Sequence, residues 1–248
     1  MTDVPLPPAS YAEREFRVGE AMHKAMTVLS RNVLMFSVVT GIASLPGVFL
    51  FARNGDFVNS PAAWAWLAAG IAVGFVLSLL SQAVVLYAAF EDMRGRPVSL
   101  MASFQAAWSR ILPVLGVAVS AGILIGLACL LLVVPGLILF TMWYVATPVC
   151  LVERIGPWKS MRRSAALTKG SRWKIFGMLI VLSIVGAIGG GVQAGLPAAA
   201  GTTAGLVVEL IWDALLGAFS AILVVVTYHD LRVAKEGVDT DQIAAVFE

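Results

Sequence analysis

Charged residues are scarce in this sequence. Only 13% of its 248 residues are Asp, Glu, Lys or Arg, whereas 59% are apolar. Soluble domains contain about 25% charged and about 45–50% apolar residues, so this composition argues against a soluble globular protein. The net charge is only +2, which is too small to indicate a nucleic-acid partner.

Residues that perform catalysis or hold metals are also scarce. The two histidines, His23 and His229, have no cysteine pair nearby and make no metal-ligand spacing. We expect Cys129 and Cys150 to lie at different depths of adjacent apolar segments, so no disulfide is predicted. The sequence shows no nucleotide-binding glycine motif and no catalytic triad motif. It therefore predicts a protein that is not an enzyme and that uses no cofactor and no metal.

What the sequence does have is long uncharged runs. A bilayer core about 30 Å thick needs on the order of 20 apolar residues per helix. Uncharged runs of at least this length cover 32–52, 57–90, 111–152 and 175–208. A fifth run, 214–228, is shorter and can be extended only by including Asp213 and Glu209. These runs indicate one membrane domain that crosses the bilayer several times.

Two of these runs are too long for one helix. Run 111–152 would extend about 63 Å as a helix, twice the bilayer core, so it must fold into a hairpin. Pro135-Gly136 is the predicted turn, and the same argument splits run 175–208 at a loop over 195–205. The sequence thus predicts six spans, at 32–51, 64–90, 111–133, 137–152, 175–193 and 206–228.

Amphipathic segments precede three of these spans, at 18–31, 100–110 and 157–169. Apolar residues recur in them at spacings of three and four, as in a helix with one apolar face. We expect each helix to lie at the lipid interface, the third with Trp158 and Met161 turned inward. For the first helix, packing on the cytoplasmic loops is the alternative.

The same order of elements occurs three times. Ser30-Arg31, Ser109-Arg110 and Ser171-Arg172 each end an amphipathic segment and open a span. The predicted fold is therefore an all-α, polytopic membrane protein with six transmembrane helices in three hairpins, each preceded by an amphipathic interfacial helix. The predicted divisions are a disordered tail over 1–15, a membrane domain over 16–237 with repeats at 16–90, 97–152 and 156–228, and a cytoplasmic tail over 238–248 with a short helix after Gly237.

Basic residues predict the orientation of the spans. Sixteen of the seventeen Lys and Arg lie in the segments that six spans place on one side, and only Arg53 lies on the other. Because cytoplasmic loops are enriched in Lys and Arg, both termini are predicted to be cytoplasmic.

Residues 16–36, FRVGEAMHKAMTVLSRNVLMF, resemble the first motif of the membrane domain of glycerophosphoryl diester phosphodiesterases. Residues 134–173 resemble its second motif, and residues 228–237 its tail. The residues that carry the second motif and the tail are Pro135, Gly136, Pro148, Glu153, Ser164, Trp173, Asp230 and Arg232.

This domain also occurs alone, in bacterial YciC-like membrane proteins. The resemblance therefore implies a multi-pass fold and a location in the bacterial inner membrane. In fused members the hydrolase is a separate soluble barrel with acidic metal ligands. We expect no such domain in this chain, so the resemblance implies no phosphodiesterase activity.

Acidic residues near a span are the first candidate site. Glu209 and Asp213 lie four residues apart and share one face of the sixth helix. Ionisable groups within a span usually face the bundle interior or a cavity, and Gln193 and Gln82 are candidate polar partners. The alternative is that both acids lie in the outer first turns of the helix, hydrated and favoured by its N-terminus.

Basic residues of the third amphipathic segment are the second candidate site. We predict that they contact anionic lipid headgroups, each contributing about 1 kcal/mol near the surface. The alternative is that they only determine topology. The predicted contacts are Lys159, Arg162, Arg163, Lys169 and Arg172. Glu153 is expected to pair with Arg162, Arg163 or Arg172 and to hold this helix on the bundle.

Two classes of function follow. The first is a non-enzymatic membrane module that organises lipids, or a membrane or cytoplasmic protein partner. The second is a transporter of a small polar or lipid-derived solute that uses Glu209 and Asp213. A cavity that reaches both acids would favour transport.

Overall fold

The computed structural model describes residues 16–52, 61–200 and 202–236, and all the regular structure in these ranges is helical. Its helices are α1 (Val18–Arg31), α2 (Val33–Ala52), α3 (Pro61–Met93), α4 (Leu100–Ser109), α5 (Ile111–Leu131), α6 (Val133–Met142), α7 (Ala146–Val152), α8 (Pro157–Thr168), α9 (Arg172–Ala200) and α10 (Thr202–Glu236). The predicted all-α fold is confirmed. The terminal tails and the loop over 53–60 lie outside the described residues.

Membrane spans are recognisable among these helices by length and hydropathy. Five segments qualify alone, and a sixth qualifies when α1 and α2 are taken together across a bend of 92°. The five are Trp64–Met93, Ile111–Leu131, Val133–Val152, Arg172–Gln193 and Ala204–Glu236. The chain is thus a multi-pass membrane protein with three hairpins, and α1, α4 and α8 are the amphipathic helices before them.

The turns of two hairpins differ from the prediction. The second hairpin turns at Leu132, whose backbone is extended, and Pro135 and Gly136 lie inside the first turn of α6. Proline fits there because the first turn has no partner for its missing N–H. The predicted loop over 195–205 is also wrong, because α9 continues to Ala200 and α10 begins at Thr202. Alanine favours the helical state, which extends α9 past the predicted boundary.

The centre of the bundle is α10, which contacts α1, α2, α3, α7, α8 and α9. The buried core lies in one half of the molecule, around Leu79–Ala89 of α3 and Ala218–Leu231 of α10. The other half exposes apolar side chains, including those of Leu130 and Leu131 at the tip of the second hairpin. This distribution fits a bundle whose outer surface is covered by lipid.

Ion pairs join the helix junctions at one end of the bundle. Lys24 of α1 contacts Asp230 of α10 at 2.7 Å, and Arg31 contacts Asp92 at 3.4 Å. Arg163 of α8 lies 3.2 Å from Glu153, one of the three predicted pairs. We call the end of the bundle that contains these ion pairs the charged end. The junctions α1–α2, α3–α4 and α7–α8 and the end of α10 meet there.

Amphipathic helix α1 has the predicted bounds but packs on protein. Ala21, Ala25, Val28 and Leu29 are buried, mainly against α10, whereas Met26 of the predicted apolar face is exposed. This contact corresponds to the alternative of a packed helix.

Helix α8 packs through a more polar face than predicted. Met161 is buried against the protein, whereas Trp158 is 65% exposed and does not pack into the bundle. The buried residues of α8 are Ser160, Met161, Ser164, Leu167 and Thr168. Met161 reaches Ser120 of α5, and Pro157 fits against Gly116, where a Cβ atom would lie only 2.8 Å from its ring. The pattern of α8 is therefore set by contacts with α5 and α6.

Candidate functional site

A polar cavity between α2, α3 and α10 contains three of the four predicted intramembrane residues. Gln82, Glu209 and Asp213 line it together, and its volume is about 500 Å³. Small and hydroxyl-bearing residues form much of the remaining wall, including Thr40, Gly47, Gly74 and Ser78. A cavity that reaches both acids is therefore present.

The depth of this cavity follows from helix α2. The Thr40 hydroxyl donates to the carbonyl of Ala214, the residue after Asp213, across 2.6 Å. Thr40 is the eighth residue of α2, so it lies about 10 Å from the start of that helix at 1.5 Å per residue. Asp213 is therefore about 10 Å from the level at which α2 begins, and it lies inside the candidate span Ala204–Glu236.

Gln193, the fourth predicted residue, lies on α9 near Asp213 and does not line the cavity. The two side chains are not within normal hydrogen-bond geometry, because the buried amide nitrogen of Gln193 has no partner within the described part of the chain. Asp213 is exposed and Glu209 is half-buried. The role of these four residues stays a prediction.

An ion-pair network at the charged end contains Glu153, Arg163, Glu236, Arg232 and Tyr228. Arg163 Nε lies 3.2 Å from both Glu153 carboxylate oxygens, and the Tyr228 hydroxyl donates to Glu153 across 3.1 Å. Arg163 also bonds Glu236, which accepts from Arg232 Nε at 3.0 Å. Two acids thus balance two arginines. The network ties α7, α8 and α10 together.

The network stabilises the charged form of Arg163. Partial burial alone would lower the pKa of its guanidinium, but the hydrogen bond to Glu236 and the charge of Glu153 raise it above its usual range. Arg163 is therefore a structural cation, not a free surface charge.

The other predicted lipid-contacting bases have different positions. Lys159, Arg162 and Lys169 are exposed on α8. Arg172 opens α9, where one Nη donates to the Ala165 carbonyl at 3.4 Å and Nε is buried without a partner among the described residues. Only the three exposed bases are positioned as the sequence predicted for a lipid-facing surface.

Motif residues Ser164 and Thr168 stabilise a break in a span. The helix stops at Met142, and Ala146 N bonds the Trp143 carbonyl, so the Met142 carbonyl loses the partner that a continuous helix would give it. The Ser164 hydroxyl donates to this carbonyl at 2.9 Å, and the Thr168 hydroxyl, which donates to the Ser164 carbonyl at 3.0 Å, lies 3.2 Å from it. The polar face of α8 therefore satisfies the backbone of α6.

The remaining motif residues serve packing or lie on the surface. A Cβ atom at Gly136 would lie 2.0 Å from the Cys129 sulfur, so glycine lets α6 approach α5. Pro148 is buried in α7, and Trp173 is 84% exposed at the start of α9. Asp230 bonds Lys24, and Arg232 belongs to the ion-pair network.

A second polar cavity, at the charged end, was missed by the sequence analysis. Its volume is about 570 Å³, and five of its lining residues are Arg94, Arg96, Arg110, Arg154 and Arg232. These residues are far apart in the sequence. The only sequence signal was that Arg94-Gly-Arg96 and the second Ser-Arg pair flank one short amphipathic helix.

Residues 16–52, 61–200 and 202–236 contain no metal-binding site and no disulfide. No group of three or more His, Cys, Asp or Glu side chains there could hold a metal ion. Cys129 is exposed and Cys150 is buried, and both are free thiols.

Comparison with known proteins yields one match. The sequence matches no curated protein and no solved structure. A family model described as "Domain of unknown function (DUF7847)" matches residues 75–231, from the middle of α3 to the buried part of α10. Since this match covers more than half of the chain, the protein belongs to that family.

Proposed function

We propose that this protein is a non-enzymatic module of the bacterial inner membrane that organises anionic lipids at the cytoplasmic surface, with both termini in the cytoplasm. The observation that carries this proposal is that α4 has an exposed apolar face and α8 an exposed basic face. Alternatively, the same helices organise a membrane or cytoplasmic protein partner.

Helix α4 turns its apolar residues away from the protein. Leu100, Phe104 and Trp108 are 48, 43 and 59% exposed, whereas Ser103 and Ala107 are buried. The Phe104 and Trp108 rings stack with centroids 6.1 Å apart. Water would disfavour such a face, but the headgroup region of a bilayer favours aromatic side chains.

Helix α8 supplies positive charge at the same end of the bundle. Lys159, Arg162 and Lys169 have exposed side chains, and no ion pair joins them to an acid among the described residues. Exposed Trp158 lies beside them in sequence. Long basic side chains next to an aromatic ring suit a surface of anionic headgroups.

The cytoplasmic orientation rests on the basic residues, which the charged end gathers on one side. We also propose that the chain is related to the membrane domain of glycerophosphoryl diester phosphodiesterases. The support is the resemblance over residues 16–36 and 134–173, and the position of Glu153 and Ser164 at helix contacts.

The test removes the three exposed bases and keeps Arg163. Lys159→Gln/Arg162→Gln/Lys169→Gln should still insert, because Arg154, Arg172 and Lys174 keep that loop positive. Native mass spectrometry in micelles containing phosphatidylglycerol and phosphatidylcholine should show a loss of the preference for phosphatidylglycerol. Equal retention of phosphatidylglycerol by parent and variant would remove the lipid-organising role of α8.

A transporter of a small polar or lipid-derived solute is the second candidate, favoured by the cavity that reaches Glu209 and Asp213. Such a cavity must admit water. In a cysteine-free variant, Ser78→Cys should react with a charged, water-soluble thiol reagent, whereas Val85→Cys in the buried core of α3 should not. If the thiol introduced by Ser78→Cys stays unreactive from both sides of the membrane, a hydrated pathway is excluded.

Function is then tested at Asp213. If the carboxylate serves transport, Asp213→Asn should abolish complementation of a deletion strain while the protein inserts normally. Wild-type growth with Asp213→Asn would dismiss this candidate.

A further inference from the structure

The charged-end cavity holds more positive charge than its acids neutralise. Of the five arginines that line it, Arg96 pairs with Glu91 at 3.4 Å and Arg232 pairs with Glu236. Arg94, Arg110 and Arg154 have no carboxylate partner within the described part of the chain. We call the cavity wall formed by these three residues the arginine basin.

The structure holds these arginines in place without acids. The Arg94 guanidinium lies over the Phe90 ring, 5.6 Å from its centroid. Arg110 Nη donates to the Arg154 carbonyl at 3.5 Å, which joins the α4–α5 junction to the segment after α7. Arg154 has φ 55°, a left-handed conformation that is uncommon for arginine.

Like charges gathered in a concave site favour an anion. Arginine forms pairs of parallel hydrogen bonds with phosphate oxygens, and its charge persists at every physiological pH. Tyr87 and Ser109 add hydroxyl groups to the wall. The cavity volume of about 570 Å³ is in the range of small-molecule sites, which is roughly 300–1,000 Å³.

We propose that the arginine basin is a binding site for a phosphate-bearing anion, with Arg94, Arg110 and Arg154 as its ligands. The site differs from the basic surface of α8, because its arginines come from the α3–α4 loop, the α4–α5 junction and the segment after α7. It does not depend on the function proposed above. Phe90, Leu151 and Val152 give the wall an apolar part that can accept hydrocarbon groups beside the phosphate.

Two sources could supply such an anion, and the probes distinguish them. Inorganic phosphate and glycerol 3-phosphate represent soluble anions, and phosphatidic acid represents a lipid headgroup. Affinities are measured on the full-length protein in neutral detergent. Binding of any of these to the parent supports the site, and the tightest probe identifies the source.

The test variant is Arg110→Gln/Arg154→Gln. The matched control is Arg17→Gln/Lys235→Gln, which removes the same charge from two exposed side chains outside both the basin and α8. We expect the basin variant to bind the tightest probe at least tenfold more weakly, and the control to stay within twofold of the parent. If the basin variant does not fold, exposed Arg94→Gln serves instead, with an expected loss of at least threefold.

Three results would overturn the proposal. The parent binds none of the probes, or the basin variant binds as tightly as the parent, or the basin and control variants lose affinity equally. The last result would show a response to net charge alone. Retained glycerol 3-phosphate binding in the α8 triple variant, together with its lost lipid preference, would show that the two sites are separate.

Discussion

Two groups of arginine lie side by side at the charged end, and they differ in whether carboxylates pair with them. Arg163 and Arg232 lie among carboxylates, at 3.2 Å from Glu153 and 3.0 Å from Glu236. In the arginine basin, Arg110 and Arg154 have only a guanidinium-to-carbonyl contact between them. Arg232 belongs to the network and also lines the cavity.

This difference separates a structural use of arginine from a binding use. A partly buried arginine that is balanced by acids joins helices, and its removal leaves charges unpaired. An arginine without an acid contributes little to the fold and leaves its donors available to an external anion. The predictions below change each group in turn.

Glu153→Ala should have the largest effect. It removes the acceptor of both Arg163 and Tyr228 and leaves the guanidinium partly unpaired, which should lower the free energy of unfolding by about 2–4 kcal/mol. Unfolding by sodium dodecyl sulfate in mixed micelles measures this change. The control is Glu91→Ala, whose partner Arg96 is more exposed and whose loss should cost less than about 1 kcal/mol. Equal losses would show that the network has no special role.

Arg163→Gln and Arg110→Gln make the comparison directly, since each removes one arginine. The first should destabilise the protein by about 1–3 kcal/mol, because Glu153 and Glu236 both lose a charged partner. The second should change stability by no more than about 0.5 kcal/mol, as for a surface substitution. The same unfolding assay applies. A larger loss for Arg110→Gln would make the basin a structural element.

Ala106→Glu should have the smallest effect on stability. Ala106 lines the cavity, so a carboxylate there gives the basin an internal anion. We expect a gain of up to about 0.5 kcal/mol, the size of an exposed ion pair, and weaker binding of glycerol 3-phosphate. Ala106→Gln, which has the same shape without the charge, is the control. Unchanged binding in Ala106→Glu would separate the cavity from the anion site.

Sequence periodicity predicted some of this architecture well. The bounds of α1 are those predicted, and α8 begins at the predicted proline. The Glu153–Arg163 pair was also among those expected. These features are local, since one turn of helix or one short loop contains the residues that determine them.

Features that depend on distant residues were missed. Pro135-Gly136 marked a turn by residue type, but the chain turns at Leu132 and uses Gly136 for close contact with Cys129. The inward face of α8 is polar because the Met142 carbonyl needs donors, which no periodicity reveals. Similarly, the arginine basin joins side chains from three segments, and nothing in the local sequence places them together.

The broken span after Met142 has a consequence for biosynthesis. The Met142 carbonyl accepts a hydrogen bond from the hydroxyl of Ser164, which the ribosome makes 22 residues later. Until then the second hairpin enters the membrane with an unpaired backbone group at its break, where water or the insertion machinery must supply the missing donor. Assembly of this hairpin is thus completed only when α8 packs against it.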